Sequence, residues 1–233
     1  MSRGLWSGAA MLGTAVAMVT IIGSTSHQTA MPGARAGTIT PDTSAEPESV
    51  VFAGGCFWGV QAVFQHVKGV EVATSGYAGG SAATATYPQT STGRTGHAES
   101  VRVVYDPDRV SFEQLLEVFF SVAHDPTQLN RQGPDVGPQY RSAVWTTGAE
   151  QADAVRAYIE QLDRSGAYAR PVVTEVAPLD GFYPAEEYHQ DYLIHHPNSP
   201  YIRIHDMPKL AALRDEFPKL WRAETAPWEV ASS

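Results

Sequence analysis

The stretch VVFAGGCFWGVQAVFQHV, residues 50–67, contains the change of pattern that decides the fold of this chain. Its first four residues form a short apolar run, which predicts a buried strand. From Cys56 onward, apolar residues recur at the i, i+3, i+4 and i+7 spacing of an amphipathic helix, namely Val60, Val63, Phe64 and Val67. Two glycines between these segments permit a sharp change of direction. The stretch therefore predicts a strand, a tight turn and a helix.

Cys56 stands at the N-terminus of the predicted helix and is the only cysteine among 233 residues. Unpaired backbone N–H groups and the helix dipole at such a position favour the thiolate over the thiol. Phe57 and Trp58 follow directly, where their rings can wall a pocket beside the sulfur. A lone cysteine is more often a small buried apolar residue. Here the flanking glycines and aromatic residues favour a reactive nucleophile instead.

The rest of the chain alternates between predicted strands and helices. Further strands are predicted at residues 70–75, 100–105, 142–146 and 172–176, and helices at 149–165 and 207–221. Ser111 and Gln114 fit a capping box for another helix, which runs to about Ala123. Long loops cover residues 76–98 and 124–140. This order predicts an α/β (α+β) fold, a two-layer sandwich with a mixed β-sheet, a ferredoxin-like core and long functional loops.

Several side chains in the two long loops can assist a nucleophilic sulfur. A thiolate that attacks a centre bonded to oxygen needs an acid to protonate that oxygen. Glu99 lies where the first loop meets a strand, and burial there would raise the pKa of its carboxyl group. Tyr87 and Tyr140 can donate hydrogen bonds to the same oxygen, and Asp135 can orient one of them. Each of these residues taken alone is a weak signal, since loop carboxylates and tyrosines usually have ordinary surface or packing roles.

Six blocks of the sequence resemble one enzyme family. They are GCFWG at 55–59, SGYAGG at 75–80, TGHAE at 95–99, HDPTQ at 124–128, QYRS at 139–142 and AEEYHQDYL at 185–193. In this order they resemble the A-type peptide methionine sulfoxide reductases, over residues 50–221. The resemblance implies that Cys56 attacks the sulfur of methionine sulfoxide, and that Phe57 and Trp58 form an apolar cage for its S-methyl group.

The same resemblance implies roles for the loop residues. Glu99 is implied as the acid that protonates the sulfoxide oxygen, with Tyr87 and Tyr140 bonded to that oxygen and Asp135 as a support. The implied products are methionine and a sulfenic acid on the cysteine. The family acts on the S epimer of methionine sulfoxide, free or in peptides, and no metal or organic cofactor is implied.

The chain departs from many relatives in lacking a second, recycling cysteine. The sulfenic acid must then be reduced by an external thiol, either a small thiol or a thioredoxin-like protein. The expected organisation is a catalytic domain at 48–222, followed by a tail without cysteine at 223–233. Oxidised proteins or peptides are the expected substrates, and a monomer is expected.

The first 47 residues have a different composition. Arg3 precedes an apolar, uncharged run at 5–23, and residues 24–47 are rich in Ser, Thr, Pro, Gly and Ala. This is typical of a secretory signal, with cleavage near Ala30 or Ala36. The run is also nearly long enough for an uncleaved membrane anchor. Either reading predicts an exported, periplasmic or otherwise extracytoplasmic enzyme that repairs exported proteins.

Composition and other motifs limit the alternatives. A net charge of −9 argues against nucleic acid or an anionic membrane surface as partner. A metal site is disfavoured because the clustered histidines lack ligand spacing with acidic or cysteine partners; they are His189, His195, His196 and His205. A peroxide-reducing thiol enzyme and a non-enzymatic module that binds oxidised methionine remain as alternative functions.

Overall fold

The computed structural model describes residues 46–229. Its strands are β1 (Glu48–Gly54), β2 (Val70–Ala78), β3 (Ala98–Tyr105), β4 (Arg131–Gln132), β5 (Asp135–Val136), β6 (Ser142–Thr146), β7 (Glu175–Pro178) and β8 (Phe182–Pro184). Its α-helices are α1 (Phe57–Gln65), α2 (Tyr87–Thr90), α3 (Phe112–Val118), α4 (Ala149–Ser165), α5 (Tyr192–His195) and α6 (Met207–Glu216). A π-helical turn, Phe119–Ala123, continues α3, and a second, Ile202–Asp206, leads into α6.

Six strands form one mixed sheet in the order β7-β6-β1-β3-β2-β8. Neighbouring strands are antiparallel except for the parallel pair β6 and β7. The central order β6-β1-β3-β2, with α1 between β1 and β2 and α3 between β3 and β6, is that of a ferredoxin-like core. The mixed sheet and the two-layer α/β class predicted from the sequence are confirmed. Strands β4 and β5 form a separate hairpin inside the predicted second loop.

Both faces of β1 are buried, which explains its continuous apolar run. Phe52 faces the helices, where its ring stacks on Phe64 of α1 at 4.9 Å and on Phe119 at 4.6 Å between centroids. Val51 faces the opposite side and packs in a smaller cluster with Trp145 of β6. Burying a side chain of this size contributes roughly 1.5–3 kcal/mol. This packing holds β1, and therefore the turn that follows it, in a fixed position.

The structure differs from the sequence prediction at several elements. The strand predicted at 172–176 begins only at Glu175, because the N–H groups of Val172 and Val173 donate to Asp163 Oδ1 and to the Pro126 carbonyl. Strand β8 was not predicted, since it has only three residues. The last helix ends at Glu216 rather than at residue 221, because Pro218 disfavours helical geometry at the residue before it.

The described residues include most of the C-terminal tail but almost none of the N-terminal segment. The predicted signal sequence or anchor and nearly all of the linker lie outside the described residues. Between residues 46 and 229, no helix has the length and apolar character needed to cross a membrane. The described part of the C-terminal tail packs on the domain, since Ala226 N–H donates to the Gln65 carbonyl and Ala73 N–H donates to the Pro227 carbonyl.

Candidate active site

A cavity of about 210 Å³ lies at the N-terminus of α1. Eight residues line it: Cys56, Phe57, Trp58, Tyr87, Glu99, Asp135, Tyr140 and Tyr201. Seven of them are the site residues predicted from the sequence, contributed by α1, α2, β3, β5 and a 3₁₀ turn. The fold thus brings together residues that are up to 84 positions apart, from Cys56 to Tyr140. Tyr201 is an additional member.

The turn between β1 and α1 places Cys56 at the N-cap of the helix. Gly55 has φ of +92°, in the left-handed region that favours glycine. A Cβ atom at this position would lie 2.5 Å from the side chain of Gln132. The chain can therefore turn here only with glycine, and the hairpin that carries Gln132 closes against the turn.

Glu99 lies on β3 with 3% of its surface exposed. Burial raises the pKa of its carboxyl group to about 8, although the Phe57 N–H, which donates to Oε2 at 3.1 Å, opposes the shift and Asp135 adds to it. At neutral pH the carboxyl group is therefore mostly protonated. The predicted property of an acid that carries a proton near neutrality is present in the folded chain.

The expectation that Cys56 rests as a thiolate is wrong. Burial raises the pKa of its thiol well above the ordinary value, and the carboxylates of Glu99 and Asp206, which are ionised at the alkaline pH where the thiol titrates, raise it further. The Trp58 N–H and the Lys209 ammonium group oppose this shift without overcoming it. The helix N-terminus lowers the pKa of the thiol as predicted, but burial and the carboxylates from distant parts of the chain raise it by more.

Tyr87 and Tyr140 are held as neutral hydrogen-bond donors. Burial raises the pKa of both phenols, and the Glu99 carboxylate, once ionised at alkaline pH, raises it further. The Tyr87 N–H donates to Glu186 Oε1 at 2.9 Å, and the same carboxylate accepts the Tyr77 hydroxyl at 2.8 Å. Tyr140 ends a short 3₁₀ turn that Pro138 begins. Both phenols line the cavity together with Glu99.

Trp58 is held by two residues that were not predicted as parts of the site. Its indole Nε1–H donates to His189 Nδ1 at 3.1 Å. Its ring stacks on Tyr192, with centroids 3.6 Å apart and an interplanar angle of 6°. The ring of Phe57 also lies against His189, at 5.0 Å. These contacts fix the orientation of the aromatic wall beside Cys56.

Tyr201 joins the aromatic wall to Asp135. Its hydroxyl donates to Asp135 Oδ2, and its ring meets Trp58 edge-on at 5.9 Å. Sequence reasoning missed this residue. The only signal was the enrichment of tyrosine and histidine beyond Glu186.

Three of the four clustered histidines, His189, His196 and His205, have aromatic rings as neighbours. His196 lies 4.2 Å from Tyr192 and His205 lies 4.9 Å from Tyr201, measured between ring centroids. Within the described range 46–229, no group of three His, Cys, Asp or Glu side chains is arranged to hold a metal ion.

Known proteins match this chain over the whole region that builds the cavity. The family model described as Peptide methionine sulfoxide reductase matches residues 48–220. Peptide methionine sulfoxide reductase MsrA 2 of Mesorhizobium japonicum is 54% identical over 182 residues, which cover 77% of this chain and 93% of that protein. The protein of the same name from Synechocystis sp. is 50% identical over 183 residues, covering 78% and 86%. Among solved structures, methionine sulfoxide reductase A of Corynebacterium diphtheriae superimposes with a TM-score of 0.58 at 40% identity, covering 69% of this chain and 79% of that one.

Proposed function

Because this chain belongs to the A-type peptide methionine sulfoxide reductase family, we propose a role for each residue of the cavity in that family's reaction. The enzyme reduces methionine (S)-sulfoxide, free or in a protein, to methionine, and a thiol supplies the electrons. The observation that carries the assignment of roles is the shared cavity, in which the only thiol of the sequence lies with a buried, protonated carboxyl group.

Cys56 is the nucleophile. Its sulfur forms a bond to the sulfoxide sulfur, while Glu99 gives its proton to the sulfoxide oxygen, as a general acid does. The sulfur–sulfur bond and the substrate's sulfur–oxygen bond then break as the oxygen passes to Cys56, which leaves a sulfenic acid on the cysteine and releases methionine. The cysteine sulfur is oxidised and the substrate sulfur is reduced. The thiol proton restores the acid form of Glu99.

The other residues hold the substrate. The Tyr87 and Tyr140 hydroxyls donate hydrogen bonds to the sulfoxide oxygen, which carries more negative charge as the sulfur is attacked. Phe57 and Trp58 offer an apolar surface to the S-methyl group. Asp135 supports the site through Tyr201, because its carboxylate accepts a hydrogen bond from the Tyr201 hydroxyl.

An external thiol completes the cycle. The sequence contains no second cysteine, so the sulfenic acid cannot form a disulfide within the chain. One thiol condenses with the sulfenic acid to give a mixed disulfide and water, and a second thiol releases Cys56. We infer that the donor is a thioredoxin-like protein or a small thiol.

The enzyme acts outside the cytosol in this proposal and repairs oxidised exported proteins. What supports it is the basic start and the apolar run at residues 5–23. The mass and N-terminal sequence of the mature protein, taken from separated cell fractions, test this. Mature protein that begins at Met1 in the cytosolic fraction would contradict it.

The assignment of Cys56 is tested by Cys56→Ser. We expect this variant to lose reduction of methionine sulfoxide while its circular dichroism spectrum and unfolding temperature stay close to those of the wild type. Activity is measured as methionine released in excess dithiothreitol, with iodoacetamide-treated wild type as a second inactive sample. Residual activity within about tenfold of the wild type, the range of a group that assists without reacting, would contradict the assignment.

A further inference from the structure

Asp206 lies directly against Gly59, in the first turn of α1. It ends the π-helical turn before α6 and is 1% exposed. A Cβ atom on Gly59 would lie 2.1 Å from Asp206 Oδ1 and 2.8 Å from Lys209 Nζ. Only glycine at position 59 lets these two charged groups approach the helix so closely.

The Asp206 carboxylate is only half satisfied. Oδ1 forms an ion pair with Lys209 Nζ at 3.2 Å, and the two residues are three positions apart at the start of α6. Oδ2 is buried and has no hydrogen-bond partner among the described residues. Leaving a carboxylate oxygen buried and unpaired costs about 1–3 kcal/mol or more, so such a group is unusual unless it has a task.

Both members of this pair act electrostatically on the Cys56 thiol, with opposite signs. The other charged or titratable groups around the thiol are Glu99 on β3, Asp135 on β5 and the phenols of Tyr87, Tyr140 and Tyr201, while His205 faces Asp206 from the same π-helical turn. Asp206 disfavours the thiolate, and Lys209 favours it. Neither residue lines the cavity, so neither contacts the substrate.

We propose that Asp206 and Lys209 are positioning residues that set the reactivity of the Cys56 sulfur through the opposite charges they place against the first turn of α1. This rests on the proposed role of Cys56 as the nucleophile. The Asp206 carboxylate competes with the sulfur for the positive end of the helix, and it adds to the burial and to the Glu99 carboxyl group in keeping the resting sulfur protonated. A thiol reacts much more slowly than a thiolate with peroxides and disulfides. Asp206 thereby helps to reserve the single thiol for a sulfoxide, and Lys209 limits how far the thiolate is disfavoured.

Alkylation of Cys56 tests this proposal, because no other cysteine in the sequence can react. The rate of iodoacetamide incorporation is followed by mass spectrometry between about pH 7 and pH 11, the range in which thiols titrate. Asp206→Asn is expected to accelerate alkylation at neutral pH by about tenfold or more, equal to a downward shift of one unit or more in the thiol pKa. The matched control is Asp153→Asn, which breaks the exposed i, i+3 pair with Arg156 on α4 and is expected to change nothing.

The double variant Asp206→Asn/Lys209→Gln separates charge from structural loosening. It is expected to react more slowly than Asp206→Asn, because the ammonium group that favours the thiolate is also gone. A role in packing alone would leave the double variant at least as reactive as the single one. The proposal would be overturned if the double variant were alkylated at least as fast as Asp206→Asn. It would also be overturned if the alkylation rate of Asp206→Asn had the same pH profile as that of the wild type.

Lys209→Gln alone keeps the test decisive if the Asp206 variants fail to fold. Lys209 is partly exposed, and alkaline pH keeps Asp206 ionised. Alkylation of this variant is expected to be slower than that of the wild type between about pH 8 and pH 9.5, where an ordinary lysine is still charged, and an equal or faster rate there would overturn the proposal. Alkylation does not require sulfoxide turnover, so the result stands apart from the Cys56→Ser test of the proposed function.

Discussion

The raised pKa of Glu99 suits it to act as an acid, but it lowers the stability of the folded chain at alkaline pH. Its pKa is about 8 in the folded chain, against an ordinary value of 4.5. Between these values the folded chain binds more protons than the unfolded chain, so the free energy of unfolding falls as pH rises. We expect Glu99→Gln to lack this decline and to exceed the wild type in stability above about pH 8, by on the order of a few kcal/mol.

The same variant is expected to be a poor enzyme. Glutamine can donate a hydrogen bond but cannot give up a proton, so formation of the sulfenic acid should slow by about 10²-fold or more. Urea unfolding between about pH 5 and pH 9 and single-turnover methionine release measure the two effects, with the exposed Glu160→Gln as control. An equally active variant would assign the proton to Tyr87, Tyr140 or solvent.

At single residues, sequence reasoning succeeded where a pattern was local and failed where a distant part of the chain intervened. The glycine and aromatic neighbours of Cys56 marked it as a nucleophile. Its thiolate was predicted from α1 alone, and this was wrong because burial, Glu99 and Asp206 outweigh the helix end. Tyr201 was missed because its place in the cavity depends on the tertiary fold.

Helix α3 begins with the capping box that its sequence predicts. Ser111 Oγ accepts from the Gln114 N–H at 3.2 Å, and Gln114 Oε1 accepts from the Ser111 N–H at 3.0 Å. We expect Ser111→Ala to lower the free energy of unfolding by about 1 kcal/mol, the usual loss for an N-cap. Turnover should not change, because α3 contributes no residue to the cavity.

Chemical denaturation measures this loss. Ser165→Ala is the control, since its exposed hydroxyl, which donates to the Leu162 carbonyl, caps no helix N-terminus. A loss in Ser111→Ala no larger than that in Ser165→Ala would show that the box does not stabilise the helix start.

Whole elements were predictable where their periodicity was long or their ends were marked. Strand β6 and helix α4 have the predicted bounds, because a buried apolar run and a 17-residue amphipathic pattern define them. The short hairpin of β4 and β5 and strand β8 were not predicted, since two or three residues carry no period. The hairpin lies in the second predicted loop, at residues 124–140, and Asp135 of β5 reaches the cavity.

The single thiol governs the behaviour of the molecule as a whole. Without an added reductant, we expect one equivalent of methionine per chain, because the oxidised Cys56 has no partner thiol within the sequence. The trapped chain should then react with dimedone, a reagent for sulfenic acids. Quantified methionine and the intact mass after dimedone measure this. Two equivalents per chain would show a second redox group and contradict the one-thiol cycle.

The π-helical turn Ile202–Asp206 holds one more residue per turn than an α-helix would. Residues of an α-helix are spaced about 100° apart around its axis. A chain shortened by one residue within this turn would therefore continue as ordinary helix, but with Asp206 and Lys209 rotated by about that angle away from Gly59. The one additional residue in this turn is thus what brings a buried charge against the turn that carries the nucleophile, without any change in the catalytic residues themselves.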